Sequence, residues 1–374
     1  MTEVHDPVTE PIEIAEHTYW VGRRDPGGIF FANPYLRVFP STDGKRAVNL
    51  LIDPGSSSEF AAVQQKCTRI LGNVGRVQLV FLNHQDPDVG SAVGTLLARF
   101  APKARVLCSE ETWRLVRFFN IPKENYLCTD PYVERGLRLS TGHSLRPVPS
   151  PFCHFAGATM LYDPQTRVLF SGDLFGGVTA AEAQGLWADE SDWVGVRAFH
   201  QLYMPANAAI ARAIRAVREL DPQPEIIAPQ HGRLLRGPWI REFLTRLERL
   251  PVGIDLLAEH DESDEELRAW NAVLKRLLDT ARVHLGATAD ARLVDDEELQ
   301  HALDVRTDGI HVSRMGKWAV ERAVHILTEG EEASVANALR FEATFAAADL
   351  DLPTPAMDFA DEGGASAAIA AVAE

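Results

Sequence analysis

Cysteine is scarce in this sequence, and its four residues stand far apart. Cys67, Cys108, Cys128 and Cys153 form no CxxC pair, which excludes the common zinc-finger spacing and gives no basis for a disulfide framework. We therefore predict that they are small buried residues, with Cys153 set apart because it directly precedes His154.

The sequence also lacks a long apolar run and a targeting leader. No segment approaches the roughly 18 consecutive apolar residues that indicate a membrane helix. The amino-terminal stretch MTEVHDPVTEPIEI is acidic, whereas a signal peptide is basic and then apolar. These absences predict a cytoplasmic protein with no membrane partner.

Positive charge is in short supply, with 37 Lys and Arg against 53 Asp and Glu. Residues 1–250 carry 27 charges of each sign, so the net charge of −16 belongs to residues 251–374, which hold 26 acids and 10 bases. No basic stripe is available to neutralise phosphates, which argues against a nucleic-acid partner. The acidic region would suit a basic protein partner, or it is a solvated helical surface.

The pattern of elements predicts an α/β fold in residues 1–245. Short apolar runs bounded by Gly, Pro, Asp or Asn predict strands, and helical periodicity separates some of them. The strand candidates are TYWVG, YLRVF, AVNLLID, VQLVFL, RVLCS, TMLYD, RVLFSGD and EIIAPQH. Residues 246–352 show helical periodicity with little strand signal and predict a helical acidic domain of unknown role. We expect residues 353–374 to be a loose tail, with Ala-rich composition that could form a short helix at its end.

Several predicted strands end in residues that can bind metal. VQLVFL is followed by His84, Asp86 and Asp88 at alternate positions, RVLFSG by Asp173, and EIIAPQ by His231. Alternate residues of an extended loop can converge on one cation, which would relieve the repulsion between the two neighbouring carboxylates. The alternative is a polar turn in which Asp86 or Asp88 caps a helix that begins near residue 89. His154, Asp173 and His231, taken singly, favour the interpretation of a core histidine or a turn aspartate over that of a ligand.

Taken together, these residues resemble the metallo-β-lactamase fold, and LLIDPGSS and PQHG resemble its early turn and its last ligand loop. Hydrolases of this fold usually carry HxHxDH, and flavodiiron proteins carry HxExDH. The form HQDPDV resembles the oxygen-binding di-iron relatives of the flavodiiron proteins, as do LYDPQTRVLFSGDLFGG and HQLYMPANAAIARAI. The resemblance covers roughly residues 15–245 and implies an αββα sandwich there, which the helical domain predicted from periodicity follows.

The resemblance also implies the ligands of two iron ions joined by an oxo or hydroxo bridge. His84, Asp86 and His154 would hold the first metal, Asp88 and His231 the second, and Asp173 would bridge the two. Carboxylate-rich mixed sites suit iron and manganese, whereas zinc hydrolase sites favour imidazole. Val89 departs from the flavodiiron pattern and would leave the second metal with fewer protein ligands.

The resemblance implies a protein that binds or slowly reduces dioxygen or nitric oxide, as an oxygen sensor or as an oxidoreductase. Tyr203 would be a catalytic donor near the bound gas, or a tyrosine packed at a helix start. No flavodoxin-type phosphate loop follows residue 240, so we expect no FMN in this chain and an external flavoprotein or rubredoxin-type reductant. A homodimer is left open. The alternative function is a dinuclear hydrolase that uses a bridging hydroxide as its nucleophile.

Overall fold

The computed structural model describes residues 10–25, 27–256 and 264–357. Most of the predicted tail, from residue 358 onward, lies outside the described residues. Within the described ranges no helix is both long and apolar enough to span a membrane. The cytoplasmic location therefore stays a prediction.

The chain divides into two compact units. The first is drawn mainly from residues 30–179 and 183–255, and the second mainly from residues 256 onward. The boundary predicted at 245/246 stays a prediction.

The first sheet of the first unit has seven strands in the order in which the chain forms them. These are β1 (Ile12–Ala15), β2 (Thr18–Trp20), β3 (Tyr35–Pro40), β4 (Ala47–Ile52), β5 (Leu79–Phe81), β6 (Arg105–Cys108) and β7 (Tyr126–Cys128). Strands β1 to β4 pair antiparallel, and β4 to β7 pair parallel. Parallel neighbours need crossover connections, and helices α1 (Phe60–Leu71), α2 (Pro87–Gly90), α3 (Ala92–Arg99) and α4 (Glu110–Val116) lie in them.

The second sheet has six strands, β8 (Leu137–Arg138), β9 (Ser144–Pro149), β10 (Thr159–Asp163), β11 (Val168–Gly172), β12 (Ile226–Pro229) and β13 (Leu235–Arg236). In this sheet β11 and β12 pair parallel, and their crossover contains α5 (Trp193–Tyr203) and α6 (Asn207–Arg218). Helix α7 (Pro238–Leu247) follows β13. Parallel pairing places the carboxyl ends of β11 and β12 at the same edge of the sheet.

Alternation along the strands shows how the two sheets pack. In β4, Leu50 and Ile52 belong to a hydrophobic cluster that also contains Leu161 and Phe170 of the second sheet, whereas Leu51 belongs to a different cluster with residues of α1 and α3. Because successive side chains of a strand point to opposite faces, one face of each sheet packs on the other sheet and the opposite face packs on helices. This arrangement confirms the predicted αββα sandwich.

A buried ion pair joins the two sheets. The Nε of Arg37 on β3 donates a hydrogen bond of 2.7 Å to Oδ2 of Asp163 on β10, and both side chains are 1% exposed. Thr166 and the backbone N–H of Gln165 donate to the same carboxylate. A buried pair is tolerated where further hydrogen bonds satisfy its charges, so this contact specifies how β3 and β10 face each other.

The second unit is built from α8 (Asp264–Leu285), α9 (Thr288–Asp295), α10 (Gly316–Thr328) and α11 (Ala333–Asp349). One hydrophobic cluster joins these helices and includes the fully buried Trp270, Leu277 and Leu339. An antiparallel hairpin, β14 (Leu303–Arg306) and β15 (Gly309–Val312), lies between α9 and α10. The helical character of this region is confirmed, but the expectation of little strand was wrong for residues 303–312.

Each of the eight predicted strand segments contains an observed strand. The four cysteines form no disulfide. Cys67, Cys108 and Cys153 are buried as predicted, but Cys128 is half-buried.

Candidate metal centre

The six predicted ligands all follow the carboxyl ends of strands or lie in the loops between them. His84, Asp86 and Asp88 follow β5, His154 lies between β9 and β10, Asp173 follows β11 directly, and His231 follows β12 closely. Because Asp86 precedes Pro87, its backbone is held extended (φ −68°, ψ 147°) and α2 begins at the proline. The chain turns sharply there, which brings the three side chains of this loop toward one edge of the sandwich.

Four of the six side chains form one tight group. The Nε2 atom of His154 lies 2.9 Å from Oδ2 of Asp86 and 3.2 Å from Oδ2 of Asp173. Nε2 of His84 lies 3.5 Å from each of the same two oxygens. Ligand atoms from all four residues lie within 4.8 Å of one another, which is a spacing that one metal ion could bridge.

Of the two remaining residues, His231 approaches the opposite oxygen of Asp173 and also contacts Asp88. Nε2 of His231 lies 3.1 Å from Oδ2 of Asp88 and 3.7 Å from Oδ1 of Asp173. Asp173 is nearly inaccessible, and its Oδ1 is a buried acceptor with no hydrogen-bond partner among the described residues. A buried carboxylate oxygen is costly to leave unpaired, so this atom has the environment of a metal ligand.

Hydrogen bonds orient two of the three imidazoles. Nδ1 of His84 lies 2.9 Å from Oδ1 of Asn83, and Nδ1 of His231 lies 3.1 Å from the backbone carbonyl of Phe31. Both partners are acceptors, so each Nδ1 donates its proton outward and each Nε2 is directed into the site. Such outer contacts are what hold metal-binding histidines in the correct tautomer.

The imidazoles and carboxylates shift one another's pKa values. Burial lowers the pKa of His154, but hydrogen bonds to Asp173 and Asp86 outweigh it and raise the pKa to about 10. Burial also lowers the pKa of His231, but the hydrogen bond to Asp88 outweighs this effect and raises the pKa to about 9. Burial raises the pKa of Asp86, yet the two imidazoles bring it well below its usual range. The group therefore holds protons that a bound cation would displace.

Aromatic rings wall the His231 side of the site. The ring of Phe30 stacks on the imidazole of His231 at a centroid distance of 4.3 Å, and Phe199 lies 5.5 Å from it. Tyr203, the predicted catalytic residue, is 38% exposed, with its ring centroid 6.2 Å from His154 and 4.7 Å from Phe199. Tyr203 therefore lies at the accessible margin of the site, and its catalytic role stays a prediction.

Val89 has an apolar environment. Its side chain is fully buried and belongs to the hydrophobic cluster that contains Leu82 and Val93. The start of α2 nevertheless stays close to the site, because Gln230, beside His231, donates a hydrogen bond of 3.3 Å to the carbonyl of Asp88. The residue that departs from the flavodiiron pattern is thus part of the core of the first unit.

Asn83 and Asp53 support the site, and the role of Asp53 was not predicted from the sequence. The Asp53 carboxylate accepts a hydrogen bond of 2.8 Å from the backbone N–H of Asn83, and burial raises the pKa of Asp53 to about 7. Nδ2 of Asn83 donates to the carbonyl of Thr159 at 2.7 Å, which links the His84 loop to β10. The signals were present, because Asp53 belongs to LLIDPGSS and Asn83 directly precedes His84.

Gly172 makes room for that support. Its φ is +61°, and a Cβ placed on it would lie 2.1 Å from the side chain of Asn83. Only glycine tolerates both the left-handed backbone and the close approach. The carbonyl contact from Phe31 to His231, by contrast, had no sequence signal, since every residue has a backbone carbonyl.

His200 is a buried histidine whose two ring nitrogens are both hydrogen-bonded to the backbone. Its ring is fully buried, with Nδ1 2.7 Å from the carbonyl of Val196 and Nε2 accepting from the N–H of Phe175. Burial lowers the pKa of His200 to about 4, so the ring is neutral at physiological pH. This histidine ties α5 to the loop after Asp173 and offers no free lone pair.

The donor set fits iron. Three imidazoles and three carboxylates converge, with Asp173 placed between the two groups, and such nitrogen and oxygen ligands suit non-heme iron. His84, Asp86, His154 and Asp173 would hold one ion, and Asp88, Asp173 and His231 the other.

Comparison with known families supports the same chemistry. A family profile, ODP family beta lactamase, matches residues 30–232, which is more than half of the chain. The type A flavoprotein fprA of Rhodobacter capsulatus is 29% identical over 265 residues, which cover 68% of this chain and 58% of the flavoprotein. The chain thus spans less than two thirds of the length of this curated relative.

Solved structures agree with the fold. A structure of the peroxy diiron species of the chemotaxis sensor ODP is 26% identical, with a TM-score of 0.53, and the match covers 66% of this chain and 97% of that one. The flavodiiron protein from Giardia intestinalis is 18% identical with a TM-score of 0.54, covering 73% and 67%. The chain is therefore related to flavodiiron proteins and to a chemotaxis sensor with a di-iron site.

Proposed function

The chain belongs to the family described as ODP family beta lactamase. We propose that its first unit is a non-heme di-iron domain that binds dioxygen and serves as an oxygen sensor. The observation that carries the proposal is the position of Asp173, whose two oxygens approach separate histidine groups. A carboxylate in that position would be able to bind one cation through each of its oxygens. The likeness to a chemotaxis sensor favours sensing over rapid turnover.

When bound, a pair of ferrous ions would supply an acceptor site for dioxygen and the electrons that reduce it. The residues of this chain perform the remaining tasks. Asp86, Asp88 and Asp173 would offset three of the four positive charges of two divalent ions. Asn83 and the carbonyl of Phe31 keep the Nε2 atoms of two histidines directed into the site.

The aromatic wall limits water on one side of the site. Phe30 and Phe199 cover the His231 imidazole, so proton delivery from that side is restricted. Tyr203 lies on the accessible side and would donate a hydrogen bond or a proton to a bound gas molecule. Restricted proton delivery on the aromatic side would slow turnover, which suits a sensor.

Other partners follow from the same proposal. Rapid reduction of dioxygen or nitric oxide would require an external flavoprotein or rubredoxin-type donor. The acidic second unit would be the surface on which a basic protein partner docks. The absence of FMN stays a prediction, and a homodimer stays open.

Metal analysis tests the proposal most directly. The full chain would be purified without oxygen, its iron and zinc measured by mass spectrometry, and its optical spectrum recorded before and after air is admitted. We expect two irons per chain and a new absorption band that fades when the oxygen is removed. Two zincs with no spectral change would overturn the proposal in favour of the dinuclear hydrolase.

A variant of the bridging residue separates this site from adventitious binding. Asp173→Ala should lower the metal content below one ion per chain, since both metal positions lose a ligand. His143→Ala is the matched control, because His143 contacts Thr141 and Phe39 and lies outside the ligand group. Two retained metals in Asp173→Ala would contradict the bridging assignment. Sustained oxygen consumption with a reductant would identify an oxidoreductase instead of a sensor.

A further inference from the structure

A second cavity lies at the other end of the strands that lead to the metal ligands. It has a volume of about 660 Å³ and opens where β4, β5 and β6 begin. The ligand loop with His84 follows the opposite end of β5. The cavity is therefore separate from the metal centre, although the same strands run between them.

The lining of this cavity combines an apolar floor with a cationic rim. Leu107, Leu137 and Leu139 belong to the hydrophobic cluster between the two sheets, and they form part of the floor of the cavity. The charged lining residues are all positive: Arg46, Lys103, Arg105 and Arg138. Hydroxyl groups complete the rim, from Ser41, Ser140 and Thr141.

The rim cations are not neutralised by neighbouring acids. Within the described residues none of the four makes an ion pair. The guanidinium of Arg105 is held in place by hydrogen bonds to the carbonyls of Asn125 and Tyr126, at 3.2 and 2.9 Å. Asp43, in the turn between β3 and β4, is not part of the lining, and its carboxylate accepts the Ser41 hydroxyl at 2.6 Å. Four unpaired cations around an apolar floor create a local positive potential.

We infer that this cavity binds an amphipathic organic anion, with its apolar body on the leucine floor and its carboxylate or phosphate head at the Arg46, Lys103, Arg105 and Arg138 rim. The volume falls within the range of about 300–1,000 Å³ that small-molecule sites occupy. Arginine is suited to planar anions because its donors form a fixed fork. A neutral or cationic ligand would leave the rim charges uncompensated.

Calorimetric titration of the full metal-loaded chain tests this assignment. The probes are decanoate and decyl phosphate, used below their micelle concentrations, so that the preferred head group identifies the natural source. Inorganic phosphate tests the head alone, and decyltrimethylammonium tests the apolar body with the opposite charge. We expect one saturable site per chain for at least one of the decyl anions and no saturable binding of the two controls. Equal binding of decyltrimethylammonium would overturn the proposal.

Variants locate the binding at the rim. The double variant Lys103→Gln, Arg138→Gln should weaken binding of the preferred decyl anion at least tenfold. Arg99→Gln, Lys123→Gln removes the same charge at exposed positions outside the cavity and should change affinity less than twofold. Ser140→Glu, at an exposed position of the rim, should also weaken binding by repulsion. Unchanged affinity in both rim variants would overturn the assignment, whatever the metal content of the chain.

Discussion

At the scale of single residues, the metal centre depends on side chains that never contact a metal. Asn83 contacts Asp53, His84 and Thr159 at once, and it occupies the space that Gly172 leaves free. A change beside Asn83 should therefore affect both the stability of the fold and the orientation of His84. The glycine is the most direct place to test this.

Gly172→Ala should lower the free energy of unfolding by about 3 kcal/mol, because a left-handed alanine is strained and its Cβ would displace Asn83. Urea unfolding measures the loss, and competition with a chelator measures the expected weakening of metal binding. Gly142→Ala is the control: its φ is +91°, but no atom lies within 4 Å of the place that its methyl group would take. Gly142→Ala should lower the free energy of unfolding by about 1 kcal/mol and leave metal affinity unchanged. Equal effects of the two variants on metal affinity would argue against the role of Asn83.

Val89 allows a second test at this scale. A histidine there would restore the flavodiiron pattern, but its imidazole would be buried in the cluster that contains Leu82 and Val93. We expect Val89→His to lower the free energy of unfolding by about 2 kcal/mol or more without tightening metal binding. Val93→His, in the same cluster, should lower the free energy of unfolding by a similar amount and should likewise not tighten metal binding. Tighter binding of the second metal by Val89→His alone would show that residue 89 reaches the site.

At the scale of elements, the loops that carry the ligands are tied to neighbouring helices. Ser109 caps α4 by accepting the N–H of Thr112, and its hydroxyl lies 2.7 Å from the carbonyl of Gly157. Gly157 belongs to the same loop as His154. The start of α4 therefore supports the loop that brings His154 to the first group of ligands.

Ser109→Ala should lower the free energy of unfolding by about 1 kcal/mol, because the helix cap is lost. It should also weaken binding of the first metal more than binding of the second. Urea unfolding and stepwise metal titration followed optically would measure both effects. Asn73→Ala is the matched control, since Asn73 caps the short helical turn Val74–Arg76 by accepting the N–H of Gly75. The control should lose comparable stability with no change in metal binding. If both variants bind metal alike, the Ser109 contact does not position His154.

The hairpin of the second unit is an element that the periodicity analysis missed. The segment LDVRTDGIHV contains an Asp-Gly pair between two short alternating runs, which is a hairpin signal. Gly309, the first residue of β15, adopts a φ of +138°, and the two strands have four residues each. Runs this short were outweighed by the helical pattern around them.

At the scale of the whole molecule, each of the four hydrophobic clusters found among the described residues draws its buried residues from one unit. The cluster under α6 and α7 includes Leu247, Leu250 and Val252, which lie beyond the predicted boundary at residue 245. Asp255 adds to this end of the first unit, because its carboxylate accepts the N–H of Asn207 at 2.7 Å. The first unit should therefore need the chain as far as residue 256.

A chain of residues 1–256 should fold and bind two metals, and a chain of residues 1–245 should be less stable by at least about 4 kcal/mol, because three buried apolar side chains are lost. Thermal unfolding and metal analysis of the two truncated proteins compare them. Loss of folding in both would mean that the first unit depends on the second. Equal stability would place the boundary at 245.

The sequence by itself determined the elements of the sandwich and the identity of the ligand candidates. Strand signals are local, since the apolar run and its bounding residues lie within a few positions, and all eight candidates proved to be strands. The alternation in HQDPD and the order of His154, Asp173 and His231 were equally visible in the sequence. The second unit was recognised as helical for the same reason.

Only the tertiary structure decided how those residues meet. The approach of the two Asp173 oxygens to different histidines depends on contacts between β5, β11 and β12, which lie far apart in the sequence. The acceptor for His231 is a backbone carbonyl, and the core position of Val89 depends on which way a short helix faces. The cationic cavity likewise arises only where the starts of several strands are brought together. Long-range packing sets these features, and local sequence patterns carry no record of it.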